Sequence, residues 1–443
     1  MKTRVLTATV AVTALLLGVT AACSSGSSSS SSSSAKPAGD VTLNYWASNQ
    51  GTSLDNDKQV LTPVLDAFTK ETGTKVKMEV IGWSDLQTRI QTAVTSGQGP
   101  DVVNIGNTWA VSLQATGAFM PFGTAEMKTI GGADKFVKTA LETGGKKGSD
   151  LTSVPVYGLA YGMYYNKAMF AAAGLQPPTT WEEMVTDAKA LTDPAKKQYG
   201  FALAAGSYTE NNHFAFITSA QNGADVFDAK GNPTFTQDGV VDGIMRYLDL
   251  MQTDKVVNPA NAQYDNGSFA VTDFATGKVA MILNQNNADA TIASNGMTSD
   301  KYGVVAFPAP KGAKTDVASH VAGINLSIFK NTKYKDQSLA FVKYMTSPAV
   351  QEQLGKPFAS LPVLKAGKAV FTDNAAEAKT FTDIYNNRAK PLPLVPAEDQ
   401  YETTVGKAMN GLFATIATGG TVTRDNVKAA MKTAQEQVAA SVG

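Results

Sequence analysis

Residues that could carry out catalysis or bind a metal are scarce in this sequence. Cys23 is the single cysteine, and His213 and His320 are the two histidines. Because Cys23 lies in a leader segment, the folded body has no cysteine nucleophile, disulfide or thiolate metal site. A Ser-His-Asp triad would have to use one of the two histidines, and no two carboxylates mark a glycosidase site. The sequence favours a binding protein over an enzyme, with no metal and no cofactor.

Two groups of polar and aromatic residues follow predicted strands, which is where ligands of open α/β sheets bind. Amides can bond the hydroxyl groups of a sugar, and aromatic rings can pack against its apolar C–H faces. The alternatives are core packing for the tryptophans and turn capping for the amides. Since the candidates are uncharged, they favour a neutral ligand. The first group is Trp46, Asn49, Gln50 and Trp83, and the second, placed in a loop after a strand, is Tyr208, Asn212 and His213.

Alternating strand and helix patterns must position these side chains. Leu43 and Tyr45 alternate with polar residues, as in a half-buried strand, and a helical stripe follows over 62–72. The capping-box patterns at 84–87 and 180–183 predict two further helix starts, and we assign Trp181 to packing. The order of elements indicates an α/β fold. A chain of 443 residues exceeds a single core, so two lobes are expected. Further strands are predicted at 76–80, 101–105, 161–165, 199–203, 279–283, 304–307 and 324–329, and further helices at 167–173, 244–251, 338–345, 405–417 and 427–438.

The charge balance excludes one class of partner. Lysine plus arginine equals aspartate plus glutamate, 38 each, so the formal net charge is zero. Nucleic acids and anionic membrane surfaces favour proteins with a basic excess. Neither is expected to be the main partner.

The first 23 residues have the layout of a secretory signal peptide, with Lys2 and Arg4 before a mostly apolar stretch. Small residues precede Cys23, which resembles a bacterial lipobox, although Thr20 stands where leucine is usual. The resemblance implies that Cys23 is lipidated; the alternative is a free cysteine in an ordinary cleaved leader. Residues 24–39 are rich in serine and are expected to form a flexible tether.

Six segments, in order, resemble the extracellular solute-binding proteins of ABC importers, family 1. The most characteristic is YGMYYNKAMFAAAGLQPPTTWEEMVTDAKAL, from Tyr161 to Leu191. No single segment is decisive, but the order makes the resemblance specific over nearly all of the chain after the tether. The other segments are SGQGPD (96–101), FATGKVAM (274–281), YGVVAFP (302–308), VAGIN (321–325) and the helix pair at 338–354.

The resemblance implies a periplasmic-binding-protein-like fold of two hinge-linked lobes with central, mainly parallel sheets and the ligand between them. Lobe I would hold residues 40–160 plus 312–358, and lobe II residues 161–311 plus 359–443. The hinge would lie after Tyr157, near Pro310 and near Ser360.

The resemblance also implies ligand contacts for further residues. Asn107 and Trp109 lie in a loop that the family uses for ligand, and Asn284 and Asn286 lie in another. Many relatives carry tryptophan at the position of Asn286, so we expect this amide to read a hydroxyl group. Three more candidates are Tyr161 at a hinge exit, Gly323 through close backbone approach, and Tyr401 through stacking.

The function implied is that of a monomer, lipid-anchored on the extracytoplasmic face of a bacterial membrane. It would capture a neutral mono- or oligosaccharide and deliver it to the permease of an ABC importer. The alternatives are a non-sugar solute such as a polyol phosphate, polyamine or peptide, an extracellular carboxylate glycosidase, and an adhesive or structural lipoprotein.

Overall fold

The computed structural model describes residues 41–442. The predicted signal peptide, Cys23 and the serine-rich tether lie outside these residues. The strands are β1 (Thr42–Ser48), β2 (Lys75–Ile81), β3 (Val102–Gly106), β4 (Ser153–Leu159), β5 (Tyr161–Asn166), β6 (Tyr199–Ala202), β7 (Val279–Gln285), β8 (Tyr302–Val305), β9 (Ser319–His320), β10 (Ala322–Ile328) and β11 (Ala389–Lys390).

The α-helices flank these strands. They are α1 (Leu54–Thr72), α2 (Trp83–Ser96), α3 (Ala110–Ala115), α4 (Thr124–Thr129), α5 (Lys138–Glu142), α6 (Lys167–Ala173), α7 (Trp181–Ala190), α8 (Tyr208–Gln221), α9 (Asp238–Gln252), α10 (Gly267–Ala275), α11 (Ala288–Ser294), α12 (Lys335–Met345), α13 (Pro348–Gly355), α14 (Ala375–Asp383), α15 (Glu398–Ala417) and α16 (Arg424–Val442).

Two separate sheets form the centres of two lobes. The first has the strand order β2-β1-β3-β10-β4, and the second has the order β6-β7-β5-β8. One residue, Ala160, separates the end of β4 in the first sheet from the start of β5 in the second. Strand β10 returns to the first sheet after the chain has built the second. The architecture is therefore the predicted two-lobed α/β fold; the exact residue bounds of the lobes stay a prediction.

The sheets are mixed, so the expectation of mainly parallel sheets is corrected. Strand β1 pairs in parallel with β2 and β3, but β10 is antiparallel to both β3 and β4. In the second sheet β6 and β7 are parallel, whereas β5 is antiparallel to β7 and β8. The antiparallel partners β5 and β10 both begin just after the chain passes from one sheet to the other. A strand that enters a sheet this way is not constrained by a βαβ crossover to run parallel.

Local signals account for several helix ends. Ser53 caps α1 by accepting the backbone N–H of Asn56, and Gly73 ends it with a φ of 74°. Helix α1 thus begins well before the predicted residue 62. Thr180 and Glu183 form the predicted capping box of α7, and Trp181 is buried in the core. The other predicted box, at 84–87, is wrong, because α2 begins at Trp83 and its N-cap is Gly82.

Within residues 41–442, no helix combines the length and apolar character that crossing a bilayer requires. No group of three or more histidine, cysteine or carboxylate side chains is arranged to hold a metal ion in the same part of the chain.

Candidate ligand-binding site

The loop after β1 is held in place by a buried aspartate. Asp57 of α1 accepts the backbone N–H groups of Gln50 (3.0 Å) and Gly51 (2.7 Å), and also the side-chain amide of Asn49. Burial raises the pKa of Asp57, and these donors oppose the rise. Gln50 is itself buried and bonds to Ser48 and to the Asn49 carbonyl, while Asn49 stays partly exposed. These hydrogen bonds fix the loop, and Asn49 is the more accessible of its two predicted ligand contacts.

Two of the predicted tryptophans meet beside this loop. Trp83 donates its indole N–H to the Asn49 carbonyl over 2.6 Å, and its ring meets that of Trp109 edge-on, with centroids 5.6 Å apart. Trp83 is partly exposed, whereas Trp109 is buried. The third tryptophan, Trp46, has the guanidinium of Arg89 over its ring at 4.7 Å. One face of Trp46 is thus already covered.

In the turn after β3, the side chains of Asn107 and Trp109 bond to residues that are distant in the sequence. Asn107 and Trp109 belong to a single 3-10 turn and are both buried. The Asn107 side chain donates to the Val321 carbonyl over 2.9 Å, and Trp109 Nε1 donates to Glu402 Oε2 over 3.2 Å. Glu402 lies in α15, which packs against α8. The turn therefore links the first sheet to α15 and to the segment that precedes β10.

The second predicted group is helical and not a loop. Tyr208, Asn212 and His213 form the first turns of α8, capped by Ser207. Asn212 is fully buried and donates back to the carbonyls of Tyr208 and Thr209, whereas its Oδ1 has no hydrogen-bond partner among the described residues, so its ligand contact stays a prediction. The polar residues that suggested a loop in fact form the N-terminal turns of a helix.

His213 is the centre of the polar contacts on this side. Its Nδ1 lies 3.0 Å from the hydroxyl of Tyr161, and its Nε2 lies 3.8 Å from Glu402 Oε1. Its ring packs on that of His320, with centroids 4.0 Å apart. Burial, and then the charge of His213, lower the pKa of His320 well below its ordinary value, so His320 is neutral. Tyr161 is buried and reaches the site only through His213.

A series of pairwise contacts thus connects five residues. Trp83 contacts Trp109, Trp109 contacts Glu402, Glu402 contacts His213, and His213 contacts Tyr161. We call this set the inter-lobe cluster. Asn49 borders it through its bond from Trp83. Four of the five were predicted from the sequence, and Glu402 was missed.

Glu402 was missed together with its neighbour Glu398, because both lie on a helix and looked like solvated helix-face residues. They are 2% and 1% exposed. Burial is the largest influence on the pKa of Glu402 and raises it, but the contacts with His213, Thr108 and Glu398 together outweigh burial and hold the pKa below the ordinary value. Burial, and then Glu402, raise the pKa of Glu398 well above its ordinary value. A spacing of four residues at a helix start was the available signal, since it places both carboxyls on one face.

A second patch surrounds Asn284 at the end of β7. A side chain at Gly267 would collide with Glu210 of α8 and come within 2.9 Å of the Asn284 amide. Asn284 is partly exposed, as is Tyr208. Burial raises the pKa of Glu210 to about 8, opposed by the N–H of Gly267. Asn284 and Tyr208 therefore remain accessible candidates, and Glu210 joins them.

Two further candidates are corrected. Asn286 is fully buried: its Oδ1 accepts the Ala160 N–H at 2.8 Å, and its Nδ2 donates to the Ala359 carbonyl. Both ends of the amide are occupied by main chain, so it cannot read a hydroxyl group. Tyr401 lies inside α15, where its ring packs on Phe235 and its hydroxyl donates to the Asn212 carbonyl. Both residues are part of the core.

Gly323 lies where β10 pairs with β4. A Cβ atom at this position would lie 2.5 Å from the Tyr157 carbonyl oxygen and 3.7 Å from the Asn107 amide. The predicted close backbone approach exists, but the neighbour is protein main chain.

The surface cavities elsewhere lack the combination of chemical groups found at this site. One of about 620 Å³ is lined by residues such as Phe122, Met127 and Lys128. It is wide open to solvent and includes no residue of the inter-lobe cluster. We place the candidate site at the cluster, because aromatic, imidazole and carboxylate groups from α2, the turn after β3, α8 and α15 converge there.

The comparisons with known proteins agree with this architecture. The family model for bacterial extracellular solute-binding proteins matches residues 51–352. A multiple sugar-binding protein of Streptococcus mutans is 28% identical over 357 residues, covering 75% of this chain and 80% of that protein. A putative binding protein of Brucella abortus is 24% identical over 358 residues, covering 79% and 84%.

Among solved structures, an ABC transporter solute-binding protein from Thermotoga lettingae, bound with α-D-tagatose, has the same fold. The TM-score is 0.78 at 20% identity, over 90% of this chain and 100% of that one. Because the family model spans most of the folded part, the chain belongs to the bacterial extracellular solute-binding proteins of ABC transporters.

Proposed function

We propose that this protein captures a mono- or oligosaccharide between its lobes and delivers it intact to the permease of an ABC importer. The observation that carries the proposal is the inter-lobe cluster. It joins aromatic rings from the first-sheet side, Trp83 and Trp109, to the polar groups Glu402 and His213 on the other side. Rings for C–H faces and polar groups for hydroxyls are what a sugar site requires.

The relatives favour the same ligand class. The Streptococcus mutans protein is named for sugar binding, a Streptomyces coelicolor relative for binding diacetylchitobiose, and the Thermotoga structure contains tagatose. The accessible candidates Asn49, Trp83, Tyr208 and Asn284 suit hydroxyl groups and sugar faces better than an apolar ligand.

Hinge closure is the proposed mechanism of capture. The contacts of Trp109 and Asn107 cross from the turn after β3 to α15 and to the segment before β10, so separating the lobes would break some of them. A bound sugar that bridges the same elements would favour the closed arrangement. No bond of the ligand need be broken. A glycosidase needs carboxyls on opposite sides of a scissile bond, whereas Glu398 and Glu402 lie on one helix face.

We further propose that the chain works at the extracytoplasmic face of the membrane, tethered by a lipid on Cys23, and that it acts as a monomer. The lipobox-like sequence supports the tether, and the serine-rich segment would let the body reach the permease.

A thermal-shift screen tests the ligand class. A ligand that binds only the folded state adds about 2.7 kcal/mol of stability at 100 times its dissociation constant. We expect at least one sugar, from a panel of mono- and oligosaccharides, to raise the melting temperature saturably. Amino acids, polyamines and peptides serve as comparison panels. A shift with one of these and none with any sugar would overturn the proposal, as would hydrolysis of a bound glycoside.

A further inference from the structure

Two buried carboxyl groups at the start of α15 have fewer hydrogen-bond donors than their oxygens can accept. Glu398 and Glu402 are one helical turn apart and are 1% and 2% exposed. Glu402 Oε2 accepts from Trp109, and His213 and Thr108 also lower the pKa of Glu402 through their contacts with it. Glu402 Oε1 and both oxygens of Glu398 have no hydrogen-bond donor among the described residues. Acceptor capacity beside the inter-lobe cluster is therefore unused.

The surroundings of the pair are acidic. Asp399 follows Glu398 in the same turn and helps to raise its pKa. Among residues 41–442, no lysine or arginine forms an ion pair with any of these three carboxyls. His213 is the basic side chain in contact with Glu402, and the neighbouring His320 is neutral.

Buried carboxyl groups without donors are costly, because water no longer solvates them. A ligand hydroxyl could supply a hydrogen bond, but it would bring no positive charge to stabilise the pair with both carboxyls ionised. A ligand ammonium group supplies both donors and the opposite charge, and charge-assisted bonds of this kind are stronger than neutral ones.

We propose that the captured sugar carries a basic amino group, whose ammonium is bound between Glu398 and Glu402 when the lobes close. This inference rests on the proposed function and narrows its ligand class, in place of the neutral sugar expected from the sequence. Trp109 and His213 position Glu402, and Glu398 lies one turn away on the same face.

The protonation state of the free protein fits this assignment. Burial, and then Glu402, raise the pKa of Glu398, so its carboxyl holds a proton when no cation is present. The other titratable groups that interact with the pair are Asp399, His213, Tyr161, Tyr208 and Tyr401. An ammonium group would take the place of the proton, so binding would release it to the solvent.

A purely structural role would leave a different signature. A glutamate at a helix start can stabilise the helix dipole without touching a ligand. Replacing it would then change stability but would not change the preference between an amino sugar and its neutral analogues.

Calorimetric titration of the full-length protein in detergent distinguishes an ammonium-binding role of the carboxyl pair from a purely structural one. The probes are glucosamine, N-acetylglucosamine and glucose, together with chitobiose, diacetylchitobiose and cellobiose. We expect an amino form to bind at least about tenfold more tightly than its acetylated and hydroxyl counterparts at pH 7. Titrations in phosphate and in Tris should reveal release of a proton.

Variants then locate the effect. Glu402→Gln and Glu398→Gln should each reduce the amine preference, whereas Glu436→Gln, on the exposed surface of α16, should preserve it. If a variant folds poorly, the wild-type comparison between amine and acetamide decides alone. Neutral sugars that bind as tightly as amino sugars would overturn this inference and leave sugar capture intact. Binding of no sugar at all would overturn the proposed function.

Discussion

Trp109 and Glu402 form a hydrogen bond of 3.2 Å that joins the turn after β3 to helix α15. Both residues are buried, and they are 293 positions apart in the sequence. The bond therefore ties the turn after β3 to α15 and orients the carboxylate that also meets His213.

Trp109→Phe should lower the free energy of unfolding by about 1–3 kcal/mol, because it leaves a buried carboxylate oxygen without its donor. Trp83→Phe is the matched control: it also removes an indole N–H, but Trp83 is partly exposed, so water can reach the Asn49 carbonyl. Urea denaturation measures both. Equal losses would contradict a special role for the Trp109–Glu402 bond.

Asn286→Ala and Asn284→Ala should behave oppositely, although the residues are two positions apart. The first change leaves the Ala160 N–H and the Ala359 carbonyl without hydrogen-bond partners. It should therefore reduce the free energy of unfolding by about 2–4 kcal/mol. The second should cost less than about 0.5 kcal/mol of stability but weaken sugar binding. Denaturation and ligand titration of both variants provide the measurement. A stable Asn286→Ala protein with impaired binding would reverse our assignment.

Gly323→Ala should destabilise the protein by about 1–3 kcal/mol, because the new methyl group would lie 2.5 Å from the Tyr157 carbonyl oxygen on the paired strand. Gly411→Ala is the control, since nothing lies within 4 Å of that position in α15. Alanine should stabilise the helix there by up to about 1 kcal/mol. Thermal unfolding of both variants tests the contrast, and a loss at both positions would count against it.

A carboxyl pair in the second lobe should make stability fall with rising pH. Burial, and then the charge of Asp289, raise the pKa of Glu377 to about 9. An unfolded glutamate has a pKa of about 4.3, so between these values the folded state holds the extra proton. The stabilisation is complete below about pH 4.3 and is lost as the pH rises through 9, with a slope of up to about 1.4 kcal/mol per pH unit.

Glu377→Gln should flatten this dependence, because glutamine stays neutral throughout. Urea denaturation at pH 5.5 and at pH 8 gives the slope for the wild type and the variant. Glu436→Gln, which changes an exposed carboxyl, should keep the wild-type slope. An unchanged slope in Glu377→Gln would show that the pair does not titrate in this range.

Cys23→Ala should release the protein from the bacterial membrane, because the proposed lipid attaches to that sulfur. Fractionation of cells into membrane and soluble extracts measures the change. Ser24→Ala is the control, since it alters the neighbouring residue and keeps the thiol. A Cys23→Ala protein that stays anchored would rule out the lipid assignment.

The sequence alone determined the features that depend on neighbouring residues. Apolar alternation around Leu43 and Tyr45 located β1, and the Thr180–Glu183 box located the start of α7. These signals can be recognised in the sequence because strand periodicity and helix capping involve residues only two to four positions apart. The candidates Trp83 and His213 were predicted the same way, as polar or aromatic groups near strand ends, whereas Trp109 and Tyr161 were implied by the family resemblance.

Only the tertiary structure decided which of the polar groups are available to a ligand. Asn284 and Asn286 look equivalent in the sequence, yet main-chain groups 126 and 73 residues away occupy the amide of Asn286. Glu398 and Glu402 resemble ordinary surface residues of a helix until the packing of the chain buries them beside Trp109. The burial and bonding partners of a side chain come from distant parts of the chain, so no local pattern encodes them.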